Sequence, residues 1–290
     1  MSPGNALAIG LALGLTGWNP NPKLTTKVSK TLLQLSVVAL GFGMNLGSLL
    51  GAGIDGLFLS ATTIVATLLL GRFLAQRLGV AKEAGALISA GTAICGGSAI
   101  AAVAAVIAAG EAEVTVAMGT VFLLNAAGLY LFPPLGQMLG LTSQQFGTWA
   151  GIAIHDVSSV VGAAGSFSQE ALLTATAVKL SRALWIIPVS MAFANFWNGK
   201  AQAKGKFTIP WFIGAFVLAS ACRTAFPSLE PIADSLYGMA KIGMSLTLFL
   251  IGAGLSRTHL QSVGVRPLLH GVALWLVISV SSLGLIVLTN

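Results

Sequence analysis

Long apolar stretches alternate with short polar connections along the whole chain, and their lengths predict membrane-spanning helices. A helix needs about 20 mostly apolar residues to cross a bilayer. Ten stretches come near that length, although the first is short: 4–18, 28–50, 55–76, 84–109, 114–139, 146–165, 170–196, 208–224, 232–255 and 267–288. The pattern predicts an all-α polytopic membrane protein with about ten transmembrane helices, in which residues 1–290 form a single transmembrane domain.

Composition excludes an ordinary soluble protein. Only 8% of the residues are charged and 56% are hydrophobic, with a mean hydropathy of +0.89, whereas soluble domains carry about a quarter charged residues. The 35 glycines suit membrane helices, because small residues allow close approach and helix breaks. The net charge of +7 does not indicate nucleic-acid binding, because the basic residues lie at segment ends. The two cysteines form no disulfide or metal pattern, and no cofactor is predicted.

The charges of the connections predict the orientation. One set of alternate connections is basic and contains Lys23, Lys27, Arg72, Arg77, Lys82, Lys200, Lys204, Lys206, Arg257 and Arg266. The other set is mainly acidic and contains Asp55, Glu111, Glu113, Glu170, Arg223, Glu230 and Asp234. Because lysine and arginine are retained on the cytoplasmic side, the first set is predicted to be cytoplasmic and both termini to lie outside.

Two pairs of segments indicate internal repetition. Residues 30–45 (KTLLQLSVVALGFGMN) and 241–256 (KIGMSLTLFLIGAGLS) share a lysine and a G-x-G, and their predicted helices run in opposite directions, which suits an inverted repeat. Residues 90–105 (AGTAICGGSAIAAVAA) and 150–165 (AGIAIHDVSSVVGAAG) match at six aligned positions, but their helices run in the same direction. One simple repeat does not accommodate both pairs.

The segment AGTAICGGSAI predicts a broken helix in mid-membrane. Each glycine costs a helix roughly 1 kcal/mol relative to alanine. Broken helices in transporters expose backbone N–H groups at a half-helix N-terminus, which attract anions. The predicted substrate-binding residues here are Thr92, Cys95, Gly96, Gly97 and Ser98. The alternative is a tight crossing of two unbroken helices, which small residues also permit.

The segment IHDVSS contains a titratable pair at a similar depth. Asp156 is the only acidic residue deep inside any apolar segment, and an ionised carboxylate there must be paired or hydrated. His155 titrates near physiological pH when it is solvated. We predict that these two residues exchange protons, with Ser158 and Ser159 as supporting polar groups. A hydrogen-bonded packing cluster is the alternative.

Two basic residues lie deep in the next apolar segment. Lys179 and Arg182 are three positions apart and share one helix face, roughly 10 and 15 Å from its outer end. Their predicted partner is Asp156 or a bound anion, and we predict that both residues bind the substrate. One carboxylate against two cations leaves a positive surplus, which favours a negatively charged substrate. The alternative is a structural Asp156–Arg182 ion pair, with Lys179 reaching an interface.

The motifs AGTAICGGSAI, FGTWAGIAIHDVSSVVGAAG, VKLSRALWIIPV, FTIPWF and VRPLL, in this order, resemble the YeiH-type family of proposed sulfate exporters. The resemblance implies a secondary transporter of the bacterial inner (plasma) membrane. It also implies distant kinship with the cation/proton antiporter and anion transporter superfamily. The matching motif positions are Thr92, Ile94, Cys95, Gly96, Gly97, His155, Asp156, Lys179 and Arg182. The family often has glutamate at position 156 and Ala-Gln at positions 158 and 159.

These observations favour a proton-coupled secondary transporter of a small anion, sulfate or a related inorganic or organic anion. The alternative is a sodium/proton antiporter that binds its ion at Asp156. A membrane sensor would need a soluble docking domain, and the longest hydrophilic loop is only about 198–207. An intramembrane enzyme would need Cys95 beside His155, and nothing in the sequence itself places these two residues together. No enzymatic activity is therefore predicted. The expected partners are the anion, protons or sodium, and the lipid bilayer; a homo-oligomer is also compatible with the sequence.

Overall fold

The computed structural model describes residues 3–16, 21–197, 211–254 and 263–289, and all regular structure within them is helical. The predicted all-α class is therefore confirmed over these ranges. The basic loop residues Lys200, Lys204, Lys206 and Arg257 lie outside the described residues.

Thirteen α-helices are described, and two short 3₁₀ turns accompany them. The helices are α1 (Pro3–Leu15), α2 (Pro22–Leu40), α3 (Leu46–Leu78), α4 (Lys82–Ala93), α5 (Gly97–Ile107), α6 (Glu111–Met138), α7 (Ser143–Ala153), α8 (Val157–Phe167), α9 (Gln169–Ala183), α10 (Ile186–Phe196), α11 (Trp211–Ala225), α12 (Glu230–Gly254) and α13 (Val265–Thr289).

Five helical stretches of the described chain are long and apolar enough to cross a membrane: Leu59–Leu78, Glu111–Met138, Gln169–Phe196, Pro227–Gly254 and Val265–Leu288. The other predicted segments coincide with shorter helices or with pairs of short helices. The count of ten crossings and the inverted repeat therefore stay predictions.

The boundary between the second and third predicted segments is wrong. The interruption lies at a 3₁₀ turn, Gly41–Gly43, and the predicted connection after residue 50 lies inside α3. The Asn45 side chain starts α3 by accepting a hydrogen bond from the Ser48 N–H at 2.8 Å. Ser220 of α11 donates to the Met44 carbonyl at 2.7 Å, so a tertiary contact also supports the turn.

The predicted segment 170–196 consists of two helices, α9 and α10. They are separated at Leu184 and Trp185, where the Trp185 N–H donates to the Arg182 carbonyl at 3.0 Å in a tight turn. Pro188 is the third residue of α10. The N–H groups of the first turn have no acceptor within the helix, so a proline there costs no helical hydrogen bond.

Two helices are interrupted within the protein at equivalent positions. The predicted break in AGTAICGGSAI is confirmed, because α4 ends at Ala93 and α5 begins at Gly97. The second break lies in the IHDV segment, where α7 ends at Ala153 and α8 begins at Val157. The last helical residue before the second break and the first one after it each lie 60 positions after their counterparts at the first break. The six matching positions of the two segments therefore align one break with the other.

Helix α9 occupies the centre of the fold. It packs along α7, α3 and α8, and its residues from Thr174 to Ala183 are all buried. The outer surface is apolar instead, with Leu69, Ile242 and Val280 each about two-thirds or more exposed (66%, 72% and 69%). An apolar exterior around an interior that contains buried charges is the arrangement expected for a protein whose outer solvent is lipid.

Candidate functional site at two helix breaks

The first break depends on Gly96. Its backbone has φ +67° and ψ −127°, a conformation that residues with a Cβ rarely adopt. The Gly96 N–H donates to the Gly91 carbonyl at 2.9 Å and closes the end of α4. The first turn of α5 then begins without a side-chain cap from the described residues. Its N-terminal N–H groups are therefore left at the break, as the Gly-Gly pair predicts.

The second break is capped by Asp156. Its carboxylate accepts hydrogen bonds from the Ser159 N–H at 2.9 Å, the Ser159 hydroxyl at 3.0 Å and the Ser158 hydroxyl. A carboxylate at this position interacts favourably with the N-terminal end of the α8 dipole. Ser158 and Ser159 are therefore in direct contact with Asp156, and their supporting role stays a prediction.

The two breaks meet at these N-termini. A Cβ placed on Gly96 would lie 3.4 Å from the Asp156 Cβ and 3.5 Å from the Asp156 nitrogen. Asp156 and Gly97 are partly exposed and Ser98 is exposed. We call this junction, formed by Gly96, Gly97, Ser98 and Asp156, the N-terminal side of the breaks. It combines two partial positive charges with one carboxylate at a place that is accessible from outside the protein core.

Lys179 and Arg182 lie on the opposite, C-terminal side of the breaks. The Lys179 ammonium donates to the carbonyls of Ile94 at 3.3 Å, Gly151 at 3.2 Å and Ile154. It therefore joins the last carbonyls of α4 to those of α7.

Arg182 completes the same arrangement. Its guanidinium donates to the carbonyl of Ile94 at 3.4 Å, to that of Ala93, and to the Thr63 hydroxyl at 2.9 Å. Both cations have 0% exposure. The negative ends of two helix dipoles thus supply the compensation that a buried positive charge requires.

The expected partnership of the two cations with Asp156 is wrong. The ion pairs within the described chain join Arg223 to Glu230 and Asp234, and none involves Asp156. Backbone carbonyls, which a sequence does not display as charges, take the place of the carboxylate. The positive surplus inferred from counting side chains is therefore compensated within the protein.

His155 contacts different groups from its neighbour Asp156. The His155 ring is buried, and its Nε2 lies 3.2 Å from the Thr92 hydroxyl. The backbone N–H groups of His155 and Asp156 both donate to the Asn125 side-chain oxygen at 3.1 Å. The structure thus brings Thr92 of the first break to His155 of the second, but the imidazole and the carboxylate of Asp156 are not hydrogen-bonded to each other within the described residues.

Two residues that make contacts at the breaks were not predicted. Asn125 of α6 holds both peptide groups at the second break, and Thr63 of α3 receives Arg182. A lone amide in the apolar segment 114–139 was the only sequence signal for Asn125, and such an amide is more typical of a packing contact than of a ligand. A threonine in an apolar helix gives no signal at all.

Cys95 lies in the first break but contacts Ser98. Its sulfur is 2.9 Å from the Ser98 hydroxyl, and Cys95 is 3% exposed. His155 is directed to Thr92 instead. The two residues that an intramembrane enzyme would require therefore have different partners.

The fold and the site define a multi-pass helical membrane protein with two interrupted helices that meet at a polar centre. The chain belongs to the family described as conserved hypothetical protein 698, whose model matches residues 3–271. No solved structure matches the chain.

Relatives similar over nearly the whole chain are named UPF0324 membrane proteins. The one from Bacteroides thetaiotaomicron is 48% identical over 288 residues, covering 99% of this chain and 86% of the relative. The one from Geobacter sulfurreducens is 49% identical over 278 residues, covering 96% of this chain and 88% of the relative. These names agree with the membrane class that the hydropathy pattern predicts.

Proposed function

We propose that the protein is a secondary transporter of the bacterial inner membrane that carries a small anion, with sulfate as one candidate. The observation that carries the proposal is the meeting of two helix N-termini, at Gly96 and Asp156, beside the exposed Ser98. Each N-terminus has a partial charge of about +0.5, and the N–H groups of the first turn of α5 have no side-chain cap from the described residues; together these features favour an anion.

Asp156 provides a means of coupling transport to protons. Its ionised carboxylate already occupies donors at the N-terminal side of the breaks, so it competes with an external anion. Protonation removes that charge and leaves the two helix N-termini uncompensated. A proton and an anion are therefore expected to bind together and to leave together, as in proton–anion symport.

The hydrogen bonds of Asp156 favour an anion over sodium. Its oxygens accept hydrogen bonds from Ser158 and Ser159, and the adjacent helix N-termini repel a cation. A sodium site of ordinary coordination needs several free oxygen ligands, which this junction does not offer with its present contacts. The sodium/proton antiporter is therefore the less favoured alternative.

Lys179 and Arg182 have a structural role in this proposal. Lys179 holds the C-termini of α4 and α7 together, and Arg182 holds the C-terminus of α4 to α3, so the two N-termini remain fixed opposite each other. A direct contact between either cation and the anion would require them to leave these carbonyls, and that contact remains a prediction. Rocking of one helix bundle against another would alternate access to the site.

The test is flux in proteoliposomes. A thermal-stabilisation screen of small anions first selects a ligand, because a ligand that binds only the folded state raises its stability. Uptake of that labelled anion is then measured with and without an acidic exterior. We expect uptake to increase on acidification in the wild type. In Asp156→Asn we expect anion exchange to persist while its dependence on pH is lost.

The matched control is Glu111→Gln, which removes an exposed acidic residue at the start of α6, away from the breaks. It should behave as the wild type does. Unchanged pH dependence in Asp156→Asn would contradict the coupling role. Proton release driven by sodium, lost in Asp156→Asn, would replace the proposal by the antiporter.

A further inference from the structure

A groove lies at the ends of α3, α4 and α10, at a distance along these helices from the two breaks. Its volume is about 400 Å³, and its lining includes Leu68, Arg72, Lys82, Phe193, Phe196 and Trp197. This volume falls within the range of sites for small molecules. None of the residues predicted for transport lines the groove.

The lining changes from basic to apolar along the groove. Lys82 lies at the start of α4, whereas Leu68 lies further along α3. Arg72 lies between these two levels, since its neighbour Gly71 packs against Ser89 of α4. At 1.5 Å per residue, Ser89 is roughly 10 Å along α4 from Lys82. A ligand that fills this groove must therefore meet basic side chains along the part between Lys82 and Arg72, and apolar side chains beyond it.

The two basic residues are available to a ligand. Arg72 and Lys82 are exposed, and neither forms an ion pair with a carboxylate of the described residues. The Lys82 ammonium lies 4.2 Å from the centre of the Trp197 ring, a cation–π contact that holds it at the mouth of the groove. No acidic residue is among the groove-lining residues that the structure describes.

The apolar part of the groove opens sideways. Leu69 is 66% exposed and Phe196 is 84% exposed, so both present their side chains to the surrounding hydrocarbon. The basic residues belong to the connections predicted to be cytoplasmic, and the cytoplasmic leaflet is the one rich in anionic lipid. The groove therefore connects the hydrocarbon of the bilayer to basic groups at the level of that leaflet's headgroups.

We propose that this groove binds an anionic phospholipid. Its phosphate lies between Arg72 and Lys82, and one acyl chain lies along Leu68, Leu69 and Phe193. Charge complementarity selects an anionic headgroup over a zwitterionic one, and the apolar walls select a lipid over a free phosphate compound. The proposal does not depend on what the protein transports.

The test measures thermal unfolding of the whole protein in detergent during titration with phosphatidylglycerol, phosphatidylcholine or glycerol 3-phosphate. We expect phosphatidylglycerol alone to raise the unfolding temperature of the wild type. In the double variant Arg72→Gln/Lys82→Gln, about thirtyfold more of this lipid should be needed, roughly fivefold for each basic residue near the membrane surface.

Two further variants keep the test decisive. Ala192→Phe narrows the groove without changing charge and should also weaken the response to phosphatidylglycerol. Arg77→Gln removes a basic residue at the same end of α3 that stacks over Phe73 outside the groove, and should respond as the wild type does. An equal response to phosphatidylcholine or glycerol 3-phosphate, or an equal loss in Arg77→Gln, would overturn the proposal.

Discussion

The two sides of the helix breaks contain similar polar chemistry but differ in burial. On the C-terminal side, Lys179 and Arg182 are completely buried and donate to backbone carbonyls of α4 and α7. On the N-terminal side, Asp156 is partly exposed and the adjacent Ser98 is exposed. The charges on the first side are closed off from solvent, whereas the second side is accessible, as the proposed exchange of a proton and an anion requires.

The buried charges of the C-terminal side are expected to be structural, and the accessible charge of the N-terminal side is expected to be functional. Charged residues lie deep in apolar segments on both sides of the breaks, so depth alone does not identify a transport site. Accessibility, together with donors that are not already committed, distinguishes the N-terminal side. Substitutions on the C-terminal side should therefore affect stability most, and those on the N-terminal side should affect function.

The largest expected effect is that of Arg182→Ala. The change leaves the Ala93 carbonyl and the Thr63 hydroxyl without their donor and opens a cavity at a completely buried position. Together these effects should cost about 4 kcal/mol of unfolding free energy. The measurement is thermal unfolding in detergent, with Arg223→Ala as the control, because Arg223 pairs with acidic residues that are more than half exposed. Equal losses in the two variants would contradict the structural role of Arg182.

Gly96→Ala should have an intermediate effect. An alanine at this position has to adopt the φ of +67°, which is strained for a residue with a Cβ, and its methyl group lies beside Asp156. Such strain costs about 1–3 kcal/mol and displaces the two helix N-termini from each other. Unfolding measurements should show this loss, together with weaker anion stabilisation. Gly51→Ala is the control, because its Cβ meets no atom within 4 Å; a similar loss there would show that the effect is not specific to the break.

The smallest effect on stability is expected for Asp156→Asn, although it should have a large effect on coupling. Asparagine and aspartate are comparable N-caps, so the first turn of α8 should be retained at a cost of about 0.5 kcal/mol or less. Thermal unfolding measured beside the flux assay tests this difference. A loss as large as that of Arg182→Ala would mean that Asp156 is structural and would remove the contrast between the two sides.

Much of the site could be predicted from residue type and spacing. The Gly-Gly pair indicated the first break because glycine weakens a helix wherever it occurs. The isolated His155–Asp156 pair indicated a polar centre because an acidic residue is costly in hydrocarbon. The partners of Lys179 and Arg182 were not predictable in this way, because they are backbone carbonyls freed by helix ends. Asn125 and Thr63 were missed for a related reason: each acts through a contact with a residue distant in the chain.

The sequence by itself determined the membrane class, the all-helical fold of the described residues and the presence of a break at Gly96. These properties follow from hydropathy and from local backbone preference, which act over a few residues. The tertiary structure alone decided which helix ends meet and which side of the breaks is accessible. Those features depend on how α9 packs between α3 and α7, and a dipole or a buried carbonyl acquires its partner only after that packing has occurred.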